Sequence, residues 1–134
     1  MTAPPFSANS KRILVVEDEK PMLDILEITL GNAGFQVVTA TEDAEALALA
    51  KMIRFDLAII DLSISGMVGI ETISALRVMV PGIKIIATSG GQPGSAEDFL
   101  PLAQSLGSSA VLRKPINRES FIATVWECLN PKGY

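Results

Sequence analysis

The chain has 134 residues, with 11 basic and 15 acidic side chains, a formal net charge of −4, one cysteine and no histidine. Without an imidazole it carries no Ser/His/Asp triad, no Cys/His pair and no phosphohistidine of its own, and the lone Cys128 excludes a disulfide framework and a cysteine zinc site. Singly scattered Lys and Arg disfavour direct nucleic acid binding, and no apolar run approaches the roughly 18 residues of a membrane span.

The first ten residues differ in composition from the rest of the chain. They contain two prolines and several polar groups where a secretion signal needs an apolar stretch. We therefore expect a flexible N-terminal segment over residues 1–10, a single domain over residues 11–130, and no separate output domain. One free cysteine fits a reducing compartment, so a cytoplasmic location is expected.

Five short runs rich in β-branched residues predict five strands. In chain order they are residues 13–16, 35–39, 57–60, 83–87 and 110–112. Helical periodicity between them is shown by Met22, Ile25, Leu26 and Thr29, by Ala44, Leu47, Ala48 and Lys51, and by Ile122, Val125, Trp126 and Leu129. Continuously apolar strands joined by helical crossovers predict an α/β fold, a doubly wound five-stranded parallel sheet with helices on both faces.

Proline and glycine mark the expected helix boundaries. Pro21 suits the first turn of the first helix, which Gly31 and Gly34 are expected to end. Gly66 and Gly69 are expected before the third helix.

Polar residues follow four of the five predicted strands. The first strand leads into Glu17-Asp18-Glu19, the third into Asp61, the fourth into Thr88-Ser89-Gly90 and the fifth into Arg113-Lys114-Pro115. Ligands of open parallel sheets bind beyond the carboxyl ends of the strands. The fold therefore brings three carboxylates, a hydroxyl and an ammonium to one edge of the sheet.

The carboxylates of Glu17, Asp18 and Asp61 predict a metal site. Two carboxylates about 5 Å apart repel by roughly 3 kcal/mol at an effective dielectric of about 20, so three of them require a cation or protonation. Oxygen ligands without imidazole or thiolate favour Mg²⁺. The alternative is that Glu17 or Asp18 only caps the first helix.

Lys114 and Ser89 complete the predicted site. Lys114 precedes a candidate cis proline, Pro115, and the alternative is an ordinary surface lysine before a turn. Ser89 is a candidate donor to an anion, and the alternative is an ordinary Ser-Gly-Gly loop. Mg²⁺ and Lys114 together balance three carboxylates. Phosphorylation of Asp61 adds about two negative charges, which the metal, Lys114 and Ser89 are placed to meet, so the set is typical of a phosphoryl acceptor.

Three motifs resemble the receiver domain of two-component response regulators over about residues 11–130. They are ILVVEDE at 13–19, DLAIID at 56–61 and LRKP at 112–115. The resemblance implies a flavodoxin-like sheet of order 2-1-3-4-5. It also implies a phosphoacceptor that is no turnover enzyme, a histidine kinase or histidine phosphotransfer protein as phosphoryl donor, a downstream protein target, and a monomer or a phosphorylation-dependent dimer.

The resemblance also implies residue roles. Asp61 is the phosphorylation site, Asp18 and Asp61 bind Mg²⁺, Ser63 offers a backbone carbonyl to the metal, and Glu17 acts through water. Ser89 corresponds to the switch residue and Lys114 to the lysine that pairs with the phosphate.

The sequence departs from the family pattern at three places. Ile64-Ser65 replace the usual Met-Pro, so proline's fixed φ is lost there. Val111 replaces a common switch aromatic, and the segment from Ser89 to Gly107 is longer than usual, which predicts a flexible loop that gates the site or contacts a partner.

These departures leave a second hypothesis open, a receiver-like interaction module that works without phosphorylation. A phosphatase with an aspartate nucleophile is disfavoured, because Asp18-Glu19-Lys20 does not supply the DxD pair of such enzymes. Nucleotide binding is disfavoured as well, since residues 89–94 fit neither GxGxxG nor GxxxxGK[ST].

Overall fold

A computed structural model describes residues 11–130, apart from the side chains of Ile64 and Ser65. The expected flexible segment 1–10 lies outside the described residues. In chain order the elements are β1 (Arg12–Val16), α1 (Lys20–Asn32), β2 (Gln36–Ala40), α2 (Asp43–Met52), β3 (Leu57–Asp61), α3 (Leu62–Ser65), α4 (Met67–Met79), β4 (Lys84–Ser89), α5 (Leu100–Ser105), β5 (Ala110–Arg113) and α6 (Arg118–Leu129). All five predicted strands are present, with ends that differ by one or two residues.

The strands form one parallel sheet of order β2-β1-β3-β4-β5, which confirms the predicted order. Near the carboxyl ends, Val16 pairs with both Ala40 and Ile60, and Asp61 pairs with Thr88. Because parallel strands in this register end together, the residues that follow them share one edge of the sheet.

Two hydrophobic cores cover the two faces of the sheet. Successive side chains of a strand point to opposite faces, so Ile13 and Val15 pack with α1 and α6, while Leu14 and Val16 pack with α2 through α5. The central strands are buried on both faces, which explains why their sequences are continuously apolar.

Two predicted helix faces are displaced from the observed ones. In α1 Leu26 and Thr29 are buried as predicted, but the buried face also includes Leu23 and Leu30, and Ile25 is 53% exposed. In α2 the buried residues are Asp43 and Ala46, and the predicted stripe from Ala44 to Lys51 is mostly exposed. Both helices carry apolar residues on several sides, so periodicity alone does not identify the face that packs against the sheet. The α6 stripe is confirmed, because its members pack against the core.

The glycine boundaries were predicted with partial success. Pro21 occupies the first turn of α1 as predicted. The predicted third helix is α4 of the structure, and the prediction that Gly69 precedes it was wrong, because Gly69 is buried within that helix. Gly66 precedes α4 with a φ of 50°, and the ring of Phe99 lies so close that a Cβ at position 66 would be 3.0 Å from it. Among the described residues, no helix combines the length and apolar character of a membrane span.

Substitution of Ile73 tests the core between α4 and the sheet. Ile73 is fully buried, so Ile73→Ala should lower the free energy of unfolding by about 2–5 kcal/mol through lost burial and a cavity. Val78 on the same helix is 81% exposed, and Val78→Ala should change it by less than about 0.5 kcal/mol. Urea denaturation measures both values, and similar losses for the two variants would contradict this packing.

Candidate functional site

The predicted site residues meet at the carboxyl edge of the sheet. Asp61 ends β3 and Ser89 ends β4, while Glu17 and Lys114 directly follow β1 and β5. Backbone hydrogen bonds extend beyond two strand ends, because the amide of Glu17 donates to Ala40 O at 3.0 Å and that of Lys114 donates to Ser89 O at 2.8 Å. The lysine is therefore held in place by its main chain, and its peptide bond to Pro115 is cis, as the sequence suggested.

The Lys114 ammonium links two buried carboxylates. Its Nζ lies 2.9 Å from Glu17 Oε1 and 3.4 Å from Asp61 Oδ1. Glu17 and Asp61 are 2% and 5% exposed. Burial raises the pKa of Glu17 and the charge of Asp61 adds to this, although the hydrogen bond from Lys114 opposes it. Burial alone would lower the pKa of Lys114, but the two carboxylates outweigh it and raise that pKa.

Asp61 is also held by neutral donors. Its Oδ1 accepts a hydrogen bond from the backbone amide of Ser63 at 3.1 Å, so Asp61 caps the N-terminus of the one-turn helix α3. The Thr88 hydroxyl, buried beside it, donates to the same oxygen at 3.4 Å. Thr88 was predicted to follow the fourth strand but was assigned no role; it lies within β4, directly opposite Asp61.

Asp18 completes an acidic cluster with Glu17 and Asp61. One carboxylate oxygen from each of the three lies within 4.8 Å of the others, with Asp18 exposed and the other two buried. The alternative was that Glu17 or Asp18 only caps α1, but the N-cap residue is Glu19, and its side chain makes no capping hydrogen bond. Glu17 Oε2 instead accepts a hydrogen bond from the Glu19 amide, in the turn before the helix. Three convergent carboxylate oxygens are hard donors, so the cluster is compatible with a divalent cation.

Ser63 and Ser89 hold the loop that follows β4. Ser63 Oγ accepts from the Gly90 amide at 2.8 Å, and Ser89 Oγ accepts from the Gly91 amide at 3.1 Å. Ser89 is buried beside the site. A hydroxyl that accepts a hydrogen bond keeps a proton to donate, so the Ser89 hydroxyl is still able to donate to an anion.

The long segment after β4 is an irregular loop tied to β5. Arg113 donates to Gly91 O at 3.1 Å and to Asp98 Oδ2 at 2.8 Å. Asp98 also accepts from the amides of Gly94 and Leu100, the latter at the start of α5. The hydrogen bond from Arg113 lowers the pKa of Asp98. The sequence indicated a loop here but not its attachment to Arg113.

Val111, the predicted switch position, lies in the middle of β5 opposite Ala87. It is half-buried and packs against the core on the α2-to-α5 face of the sheet.

A pocket of about 400 Å³ opens beside Asp61. In addition to the acidic cluster, Thr41, Glu42, Asp43 and Ala44 line it. No role was predicted for the residues that follow the second strand, so this wall of the pocket was not expected. An acidic pair after that strand was the available signal.

Comparison with known proteins is consistent with this geometry. Residues 13–126 match the family model of the response regulator receiver domain. The transcriptional regulatory protein PrrA of Mycobacterium tuberculosis is 32% identical over 124 residues, which are 92% of this chain and 52% of that protein. The chain spans about half the length of the curated relatives it matches first.

Two solved structures show the same fold. A CheY-like response regulator receiver domain protein from Methanospirillum hungatei is 30% identical with a TM-score of 0.81, over 91% of this chain and 95% of that one. A response regulator protein from Burkholderia pseudomallei, solved with a phosphorylated aspartic acid, a calcium ion and citrate, is 29% identical with a TM-score of 0.74. The match covers 85% of this chain and 65% of that one.

Repulsion within the acidic cluster predicts that removing one charge stabilises the protein. In a buffer free of divalent cations, Asp18→Asn should raise the free energy of unfolding, because it removes the repulsion from Glu17 and Asp61. The gain should be about 1 kcal/mol, since Asp18 is exposed and water screens the repulsion. Glu27→Gln, at an exposed site on α1, should change it little. Urea denaturation of both variants measures the difference, and a destabilised Asp18→Asn protein would contradict the repulsion.

Proposed function

The chain belongs to the response regulator receiver domain family, and we propose that it receives a phosphoryl group on Asp61 from the phosphohistidine of a partner. Receiver domains are signalling modules of two-component systems that interact with histidine kinases. The observation that carries the proposal is Asp61 itself, which ends β3 within 3.4 Å of the Lys114 ammonium and beside two further carboxylates.

The proposed reaction is a transfer between two proteins. A carboxylate oxygen of Asp61 attacks phosphorus, the P–O bond forms, and the P–N bond to the partner's histidine breaks. The imidazole leaves with its electron pair. The donor histidine, on a histidine kinase or a histidine phosphotransfer protein, lies outside residues 1–134, because these contain no histidine.

We further propose that Asp18, Asp61 and the backbone carbonyl of Ser63 hold Mg²⁺, with Glu17 acting through water. The hydrogen bond from Lys114 to Glu17 supports an indirect role for Glu17, since it already engages one of that residue's oxygens. When bound, Mg²⁺ supplies positive charge beside the phosphoryl oxygens. The phosphorylated aspartic acid and calcium ion in the related Burkholderia structure also support this assignment.

Ser89 connects the proposed chemistry to the loop after β4. A phosphoryl group on Asp61 adds about two charges and three acceptor oxygens, to which Lys114 and the Ser89 hydroxyl are placed to donate. If Ser89 turns toward the phosphate, the Gly91 amide loses its present acceptor. The loop that Arg113 also holds would then rearrange and change the surface offered to a downstream protein.

A receiver-like module that works without phosphorylation is the second candidate function. Val111, in place of a switch aromatic, favours it. Ser65, which stands where the family usually has proline, also suggested this alternative; it lies in α3, and its side chain is outside the described part of the structure. The two candidates differ in whether Asp61 is modified.

Phosphorylation is tested with a small phosphodonor. Incubation with Mg²⁺ and acetyl phosphate should add the mass of one phosphoryl group, and Asp61→Asn should abolish the gain. Asp24→Asn, at a half-exposed carboxylate on α1, should retain it. Intact-mass spectrometry measures the gain; no gain, or one that persists in Asp61→Asn, would favour the module that works without phosphorylation.

The metal assignment predicts stabilisation by Mg²⁺. At ten times its dissociation constant, Mg²⁺ should raise the free energy of unfolding by about 1.4 kcal/mol, because it binds the folded state. Asp18→Asn should lose most of this increase, since one ligand is removed, while Glu27→Gln should keep it. Thermal unfolding with and without Mg²⁺ measures the effect, and an unchanged response of Asp18→Asn would exclude Asp18 as a ligand.

A further inference from the structure

The pocket beside Asp61 extends well beyond the acidic cluster. Its second wall is formed by Thr41, Glu42, Asp43 and Ala44, from the loop after β2 and the start of α2, and Val68 at the start of α4 also lines it. The proposed function uses only the cluster and leaves this wall without a role.

Asp43 is the feature that points to a ligand. It is only 9% exposed, it lines the pocket, and its Oδ1 is fully buried without a hydrogen-bond partner in the described part of the chain. The first turn of α2 explains why an acidic residue is favourable there, since the helix dipole stabilises it. It does not explain a buried carboxylate oxygen without a donor, which is costly in a protein interior.

The charges around the pocket indicate the sign of that ligand. Within the described part of the chain, the ionisable side chains that line it are acidic, and the ion pairs of Lys114 are with Glu17 and Asp61. With a divalent ion on the cluster, Glu42 and Asp43 would still have no positive partner among residues 11–130. The second wall therefore favours a further cation.

The shape of the pocket distinguishes an organic cation from a second metal ion. Asp43 is not part of a group of three metal-ligating side chains in the described residues, whereas Asp18 is. The volume of about 400 Å³ is within the range of organic ligand sites, and Val16, Ala44 and Val68 give the pocket apolar walls. A ligand with a positively charged head on a short hydrocarbon stem matches both the acidic residues and the apolar walls of this pocket.

We propose that this pocket binds an alkyl-guanidinium or alkyl-ammonium group, toward whose head the Asp43 carboxylate turns to accept a hydrogen bond and whose stem packs against Val16, Ala44 and Val68. The group is either a small molecule or the Arg or Lys side chain of a partner protein. Binding does not require Asp61 to be phosphorylated, so this inference goes beyond the proposed function and can fail independently of it.

Titration with butylguanidinium tests the proposal. Full-length protein labelled with ¹⁵N is used with saturating Mg²⁺ and no phosphodonor, and amide shifts of residues 41–44 are followed. Butylguanidinium should give saturable shifts, whereas the neutral analogue butylurea should not. Asp43→Asn should weaken binding about tenfold or more, because a charged hydrogen bond is lost. Glu71→Gln, at an exposed carboxylate outside the pocket, should bind like the parent protein.

Glu42→Gln provides a second variant if Asp43→Asn does not fold, and it should also weaken binding. Equal responses to butylguanidinium and butylurea, or unchanged affinity in the tested pocket variant, would overturn the proposal. So would a second Mg²⁺ per chain that depends on Asp43, measured by calorimetric titration.

A peptide identifies the source of the cation. A five-residue peptide with a central arginine between alanines is compared with the same peptide carrying neutral citrulline. Tighter binding of the arginine peptide than of butylguanidinium supports a partner's side chain, while binding of butylguanidinium alone supports a small molecule. Absence of binding by both cations would overturn the proposal.

Discussion

The Lys114 ammonium, placed between two buried carboxylates, is the interaction on which the edge of the sheet depends. It joins Glu17 to a residue 97 positions later and reaches across the ends of β3 and β4. Removing one member of a buried ion pair leaves an uncompensated charge, which commonly costs about 3–5 kcal/mol. The connections that follow β1 and β5 are thus held against the end of the central strand β3 by the same ammonium that pairs with Asp61.

The neighbouring Arg113 extends this control to the loop after β4. Lys114 contacts the acidic cluster, while Arg113 contacts Gly91 and Asp98. Ser89 lies between the two regions, with its backbone carbonyl bonded to Lys114 and its hydroxyl to Gly91. A charge added at Asp61 therefore has a short, continuous set of hydrogen bonds through which to affect the loop.

The sequence predicted the sheet and the cluster because both follow from simple regularities. Buried parallel strands are continuously apolar, and the residues after them must share an edge, so Glu17, Asp61 and Lys114 were found despite their separation in the chain. Asp43 and the Arg113–Asp98 pair were not found. In α2 several faces carry alanine or leucine, so the sequence did not show that Asp43 points inward, and the attachment of Asp98 depends on how a loop folds back.

The contact between Gly66 and Phe99 limits how this sequence can vary in evolution. Gly66 has a positive φ, and the Phe99 ring occupies the space that a side chain at position 66 would need. A larger residue at 66 would meet both a backbone penalty and a steric clash unless the ring at 99 became smaller. Positions 66 and 99 are therefore expected to covary among close relatives, and this would couple the histories of the loops that follow β3 and β4.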